Sequence, residues 1–319
     1  MDRASRLENF PISIFAVVMG LAGLTLAWEK AQSIYGIDLH INGILIGITG
    51  GLFLLLLGIY LSKIARYRAA VLAELRHPIK LNFFPTISIS IILLSTATLQ
   101  MAPRLSELLW FSGGSLHLLF TFYIMNIWIH HEHLEIHHMN PAWFIPVVGN
   151  ILVPIAGPAL GYTEISWFYF SIGILFWLVL LAIVFYRVLF HNPLPERLMP
   201  TFFILIAPPA VGFIAYTKLT GEIEGPARIL YYTGLFLTFL LLTQVRRFAR
   251  LEFFLSWWAY SFPFAAITIG TLLMYDHTRL PGFQLLAAVF LGILTLIVAY
   301  LSYRTAMAVS RKKVCLPEG

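Results

Sequence analysis

The stretch G-L-F-L-L-L-L-G at 51–58 decides the class of this chain. Strands of a membrane barrel alternate apolar and polar residues over about ten positions. The centre of this stretch, L-F-L-L-L-L at 52–57, does not alternate at all. It lies inside an apolar run at 40–62, and a bilayer core of about 30 Å takes about 20 such residues as a helix. Working outward, further runs of this kind stand at 10–28, 81–100, 105–129, 141–161, 165–190, 199–217, 226–245, 251–275 and 281–306. Composition agrees, with 59% apolar residues, 11% charged and a mean hydropathy of +0.83 over 319 residues. A soluble domain carries about 25% charge, and so few charges cannot clothe this apolar mass in water. That excludes a soluble enzyme, a disordered chain and a nucleic-acid binder. The expectation is an all-α integral membrane protein, one transmembrane domain over 1–319 with ten spans, multi-pass in the cell's inner (plasma) membrane.

Loop charge sets the orientation, because cytoplasmic loops collect Lys and Arg. With both termini cytoplasmic, that side carries 16 of the 21 basic residues: Arg3, Arg6, Lys63, Arg66, Arg68, Arg76, Lys80, Arg187, Arg197, Arg246, Arg247, Arg250, Arg304, Arg311, Lys312 and Lys313. Lys30, Arg104, Lys218, Arg228 and Arg279 face the other way. The net charge of +6 therefore describes topology more than a partner. The basic run at 63–80 is expected at the lipid headgroups, and Trp28, Trp110 and Trp128 near span ends read as interfacial anchors. The single cysteine, Cys315, excludes a disulfide framework. The first run lacks a small-residue cleavage site and reads as a span, not a removed signal.

Proline divides the spans into two populations. Odd spans carry it: Pro11 in the first, Pro85 in the third, Pro146, Pro154 and Pro158 in the fifth, Pro208 and Pro209 in the seventh, Pro263 in the ninth. Even spans have none inside; Pro226 and Pro281 only begin theirs, where proline is tolerated. A mid-helix proline removes a backbone bond and kinks the helix. Lipid tolerates the freed groups only where protein or a watery cavity satisfies them. The sorting predicts an inner ring of kinked odd helices around a pore, enclosed by straight, lipid-facing even helices. N-F-P-I-S-I at 9–14 and N-F-F-P-T-I-S-I at 82–89 support a helical hairpin used five times. No Lys or Arg falls within the odd spans. A solute would meet the hydroxyls of Thr86, Ser88, Thr201 and Thr268, the Asn150 amide and the positive ends of restarted helices. Such a path suits a weakly held anion, whereas freed carbonyls would favour a cation.

Three stretches carry a resemblance: N-P-A-W-F-I-P-V-V-G-N at 140–150, W-W-A-Y-S-F-P-F at 257–264, and R-R-F-A-R at 246–250. With the ten-span layout, the chain resembles the tellurite-resistance/dicarboxylate transporter family, which includes bacterial TehA and the plant slow-type anion channels. The resemblance implies five quasi-symmetric hairpins around a pore in each protomer, assembly as a homotrimer, and a phenylalanine of the ninth span plugging the pore. The matching residue is Phe262, directly before Pro263, with Phe264 as second candidate. An aromatic ring closes an apolar constriction by steric block and dewetting. Plant members are regulated through long phosphorylated termini. This chain has almost nothing beyond its spans, so kinase control of that kind is not expected.

H-H-E-H-L-E-I-H-H at 130–138 is the most conspicuous motif. His133, His137 and His138 have the H-x-x-x-H-H spacing of membrane di-iron enzymes, and imidazole suits iron. A second iron shell needs further histidine boxes, yet His40, His77, His117, His191 and His277 stand apart. The stretch, including His130 and His131, reads instead as a cytoplasmic loop whose histidines replace the Lys and Arg it lacks. No metal, cofactor or catalytic residue is implied. The leading expectation is a channel for small monovalent anions, chloride- or nitrate-like, with membrane lipid as its other partner. The alternative is a proton-coupled C4-dicarboxylate or tellurite/sulfite exporter, and a membrane metalloenzyme comes third.

Overall fold

A computed structural model describes residues 3–37, 39–130 and 134–316, with side chains from residue 6 onward, and contains no strand among them. The spans are α1 Ile12–Tyr35, α2 Asn42–Arg66, α3 Lys80–Thr98, α4 Pro103–His130, α5 Pro141–Ala156, α6 Thr163–Phe190, α7 Glu196–Thr220, α8 Gly225–Leu242, α9 Leu255–Thr278 and α10 Pro281–Ser310. Nine of these, among the described residues, are long and apolar enough to cross a membrane; α5 is shorter.

The odd spans share a construction that hydropathy does not reveal. Each opens in 3-10 conformation and turns α-helical part-way. Ile12–Phe15 precedes Ala16–Tyr35, Lys80–Phe83 precedes Pro85–Thr98, Glu196–Ile206 precedes Ala207–Thr220, and Leu255–Tyr260 precedes Ser261–Thr278. α5 alternates twice, through Pro141–Phe144, Ile145–Val148, Gly149–Leu152 and Val153–Ala156. The prolines stand at these junctions rather than deep inside α-helical turns. Pro85, Pro146, Pro154, Pro208 and Pro209 lie in the first turn of an α-helical piece, and Pro263 is the third residue of its own. Pro11 precedes the 3-10 turn of α1. The reason is that first-turn N–H groups have no partner four residues back, so a missing one costs little. The 3-10 turns also account for the short α5. At about 2.0 Å per 3-10 residue and 1.5 Å per α residue it reaches about 28 Å, close to the apolar thickness of a bilayer.

Burial follows the same sorting. In the long odd spans 67–83% of the apolar stretch is buried, and in α5 every residue except Ile155; in the even spans the share is 22–33%. The odd spans close into a ring, α1 on α3, α3 on α5, α5 on α7, α7 on α9 and α9 on α1. Each even span packs outside the seam between its two odd neighbours, from α2 over α1 and α3 to α10 over α9 and α1. Glycine permits the close seam between α1 and α9: a Cβ on Gly20 would stand 2.2 Å from Ser261 Oγ, and one on Gly23 2.7 Å from Ala265 Cβ. Outward, Leu54, Leu119, Leu175, Phe236 and Leu296 are 60–71% exposed. Side chains of this kind gain about 1.5–3 kcal/mol each when removed from water, which the hydrocarbon of a bilayer supplies. This is an all-α integral membrane protein that crosses the bilayer repeatedly.

Candidate functional site, an axial cavity

The 3-10 openings of all five odd spans surround a cavity of about 980 Å³. Following each span inward, the last lining residues are Met19, Ile89, Leu152, Val211 and the pair Phe262–Pro263, an apolar collar. The rim carries Lys80, Arg197, Arg304, Arg311 and Lys313 against Glu74 and Glu252. The Arg304 guanidinium is held 4.9 Å from the Phe253 ring centroid and 5.5 Å from that of Tyr300, a cation–π arrangement. The odd spans begin here, so the positive ends of their dipoles face the cavity.

Backbone carbonyls at the prolines accept further hydrogen bonds from the outer spans. Lys63 Nζ of α2 donates to the Phe10 carbonyl at 2.8 Å, just ahead of Pro11. From α4, Thr121 Oγ1 donates to the Pro146 carbonyl at 2.7 Å and Trp110 Nε1 to the Val153 carbonyl at 2.8 Å. Lys63 also pairs with Glu74 Oε2 at 2.9 Å, and the Tyr60 hydroxyl donates to the same oxygen at 2.8 Å. Lys63 is 1% exposed and Trp110 2%. The headgroup role expected for Lys63 and the interfacial role expected for Trp110 are therefore replaced by inward hydrogen bonds. A buried ammonium is costly unless paired, and here Glu74 and the Phe10 carbonyl both lie within the fold.

Of the polar groups expected along the axis, Thr86 and Thr201 line the cavity, their hydroxyls donating to the Phe83 and Leu198 carbonyls. Ser88, Thr268 and Asn150 are fully buried in the wall, bonded to the carbonyls of Pro85, Phe264 and Val147. Pro11, Pro208 and Pro263 line the cavity; Pro85, Pro146, Pro154 and Pro209 are set back. The two phenylalanines part company. Phe262 lines the cavity, its Cδ2 3.4 Å from where a Cβ on Gly23 would stand. Phe264 is fully buried on the far side of α9, its ring 5.2 Å from Phe290 of α10.

The family model described as voltage-dependent anion channel matches residues 9–306. The chain belongs to this family. It is 30% identical to the S-type anion channel SLAH2 of Arabidopsis thaliana over 92% of this chain and 58% of that one. To the guard cell S-type anion channel SLAC1 of the same plant it is 27% identical over 83% of this chain and 50% of that one. The tellurite resistance protein TehA homolog of Haemophilus influenzae is 25% identical over 91% and 90%. The chain thus spans about half the length of the plant relatives it matches. Both branches of the resemblance read from the sequence are represented among these members.

In this family member the His137 and His138 rings lie together, their centroids 4.0 Å apart. His130 Nδ1 pairs with the Asn126 carbonyl at 3.0 Å, and His137 Nδ1 lies 3.0 Å from Glu135 Oε2, both at exposed positions. His131 and His133 lie outside the described residues. Among the described residues no three His, Cys, Asp or Glu side chains gather as a metal site would require. The histidine that sequence reasoning passed over is His117, fully buried on α4 against Ser88. Its one sequence signal is a lone imidazole in the middle of an apolar run.

Proposed function

We propose that this protein is a passive channel for small monovalent anions of the chloride or nitrate type, with the axial cavity as the cytoplasmic vestibule of its pore and Phe262 as the gate. The cavity carries the reading. Every odd span lines it, its inner end is an apolar collar that includes Phe262, and its rim is basic. The case for a cation weakens in the same wall, because the carbonyls of Phe10, Pro146 and Val153 are taken by donors from the outer spans. Helix N-termini remain to face the path, and these favour negative charge. Two relatives named as anion channels support the assignment. The collar residues carry no charge, so an ion is held weakly there, as conduction requires. The rest of the reading is a single transmembrane unit over 1–319, termini cytoplasmic, in an inner (plasma) membrane, assembled as a homotrimer, with no catalytic step. A proton-coupled C4-dicarboxylate or tellurite/sulfite exporter needs a titrating group along its path. The carboxylates lining the cavity, Glu74 and Glu252, both precede the odd spans and stand at the rim.

Planar-bilayer recording of the wild type beside Phe262→Ala tests the proposal. The variant is expected to pass more anion current, reversing at the anion's Nernst potential in chloride and nitrate gradients and indifferent to a pH gradient. Unchanged or lost current at normal expression would overturn the gate. A reversal potential that tracks pH would turn the reading to the coupled carrier.

A further inference from the structure

His117 comes from an outer span, yet its ring is fully buried between two inner ones. On one side Nδ1 lies 2.9 Å from Ser88 Oγ of α3. On the other the ring closes on α5, where a Cβ on Gly149 would stand 2.3 Å from Cε1 and 2.4 Å from Nε2. Ordinary contact begins at 3.4 Å, so only glycine fits there unless the ring or the helix yields. The Pro146 carbonyl lies beside the ring and accepts from Thr121 Oγ1 at 2.7 Å. The width of the ring fills the space behind Gly149. The same Cβ would stand 2.9 Å from Ile89 Cδ1, and Gly149, Ile89 and Leu152 line the cavity.

We propose that His117 is a positioning residue for permeation: its imidazole wedges α3 and α5 apart behind Gly149 and thereby sets the width of the path at Ile89, Gly149 and Leu152. Close-packed interiors transmit such displacements instead of absorbing them. The inference rests on the cavity being a pore, and its test separates the two.

The test is a size-compensation cycle recorded on the Phe262→Ala background, with chloride, nitrate and gluconate as the permeating probes. Gly149→Ala drives the wall inward and is expected to cut current several-fold, gluconate most. His117→Ala opens the space behind the wall and is expected to raise the gluconate-to-chloride permeability ratio several-fold. The double variant puts the new methyl into that space and returns both quantities toward the Phe262→Ala values. His117→Phe keeps the ring's width without its nitrogens and leaves the ratio unchanged. A double variant no better than Gly149→Ala, or a ratio that follows the loss of nitrogen rather than of width, overturns the proposal. Melting temperatures of the same proteins report the wedge without any current. Recovery of stability in the double variant with no anion current in any background would sink the pore reading and keep the wedge; no recovery would sink the wedge itself.

Discussion

Replacing Lys63 by methionine keeps the length of the side chain and deletes its charge. At 2.9 Å the attraction between Lys63 and Glu74 is about 6 kcal/mol for an effective dielectric of 20. Dehydrating both groups offsets most of that, so the intact pair adds little net stability. Cutting only one side is different. Lys63→Met strands the carboxylate of Glu74, 8% exposed, and orphans the Phe10 carbonyl that leads into α1. Breaking a buried pair in this way costs about 3–5 kcal/mol. At about 2 °C per kcal/mol for a large chain, the melting temperature falls by about 6–10 °C. Adding Glu74→Gln removes the stranded charge and leaves Tyr60 a partner, so the double variant regains more than half of the loss. The assay is thermal melting of purified protein in detergent, read by size-exclusion fluorescence at one fixed scan rate, since unfolding of such proteins is commonly irreversible. A drop below about 2 °C for Lys63→Met, against the scale used above, refutes the reasoning. So does a double variant less stable than the single.

Two further outcomes follow from the same wall and rim. Trp110→Phe keeps the packing against Tyr162, whose ring stacks at 5.1 Å, but removes the shorter of two hydrogen bonds to the Val153 carbonyl and leaves it only the Gly157 N–H at 3.3 Å; the loss is about 0.5–1.5 kcal/mol, and melting compared with Trp110→Ala separates the hydrogen bond from the volume. Burial raises the Cys315 thiol above its ordinary range, with Arg6 and Lys63 pulling the other way. A raised pKa means less thiolate near pH 8, so alkylation of Cys315 runs slower than that of free cysteine, its pH–rate midpoint lies higher, and Lys63→Met slows it further; a midpoint at or below that of free cysteine contradicts this.

Much of the architecture is legible in local sequence. The non-alternating run at 52–57, the spacing of apolar runs and the sorting of prolines into odd spans lead to the two rings. Phe262 is legible only through the resemblance, because one phenylalanine among 26 has no composition to mark it. The prolines were legible as interruptions but not as junctions, since 3-10 and α turns differ by one residue in hydrogen-bond reach and share the same apolar pattern.

What the sequence alone determined is the class, the number of crossings it proposes and which of them face inward, because hydropathy and missing N–H groups act within one helix. What only the tertiary structure decided is where the few polar side chains point. Lys63 meets Phe10 across 53 residues of chain and Trp110 meets Val153 across 43, far beyond any window of helical length. Packing of the same long range sets Phe264 against Phe290 while Phe262 lines the cavity, and stands a histidine of the outer ring one glycine away from that cavity. A helix settles its own hydrogen bonds locally; which donor completes a broken one depends on the neighbour that packing brings to it.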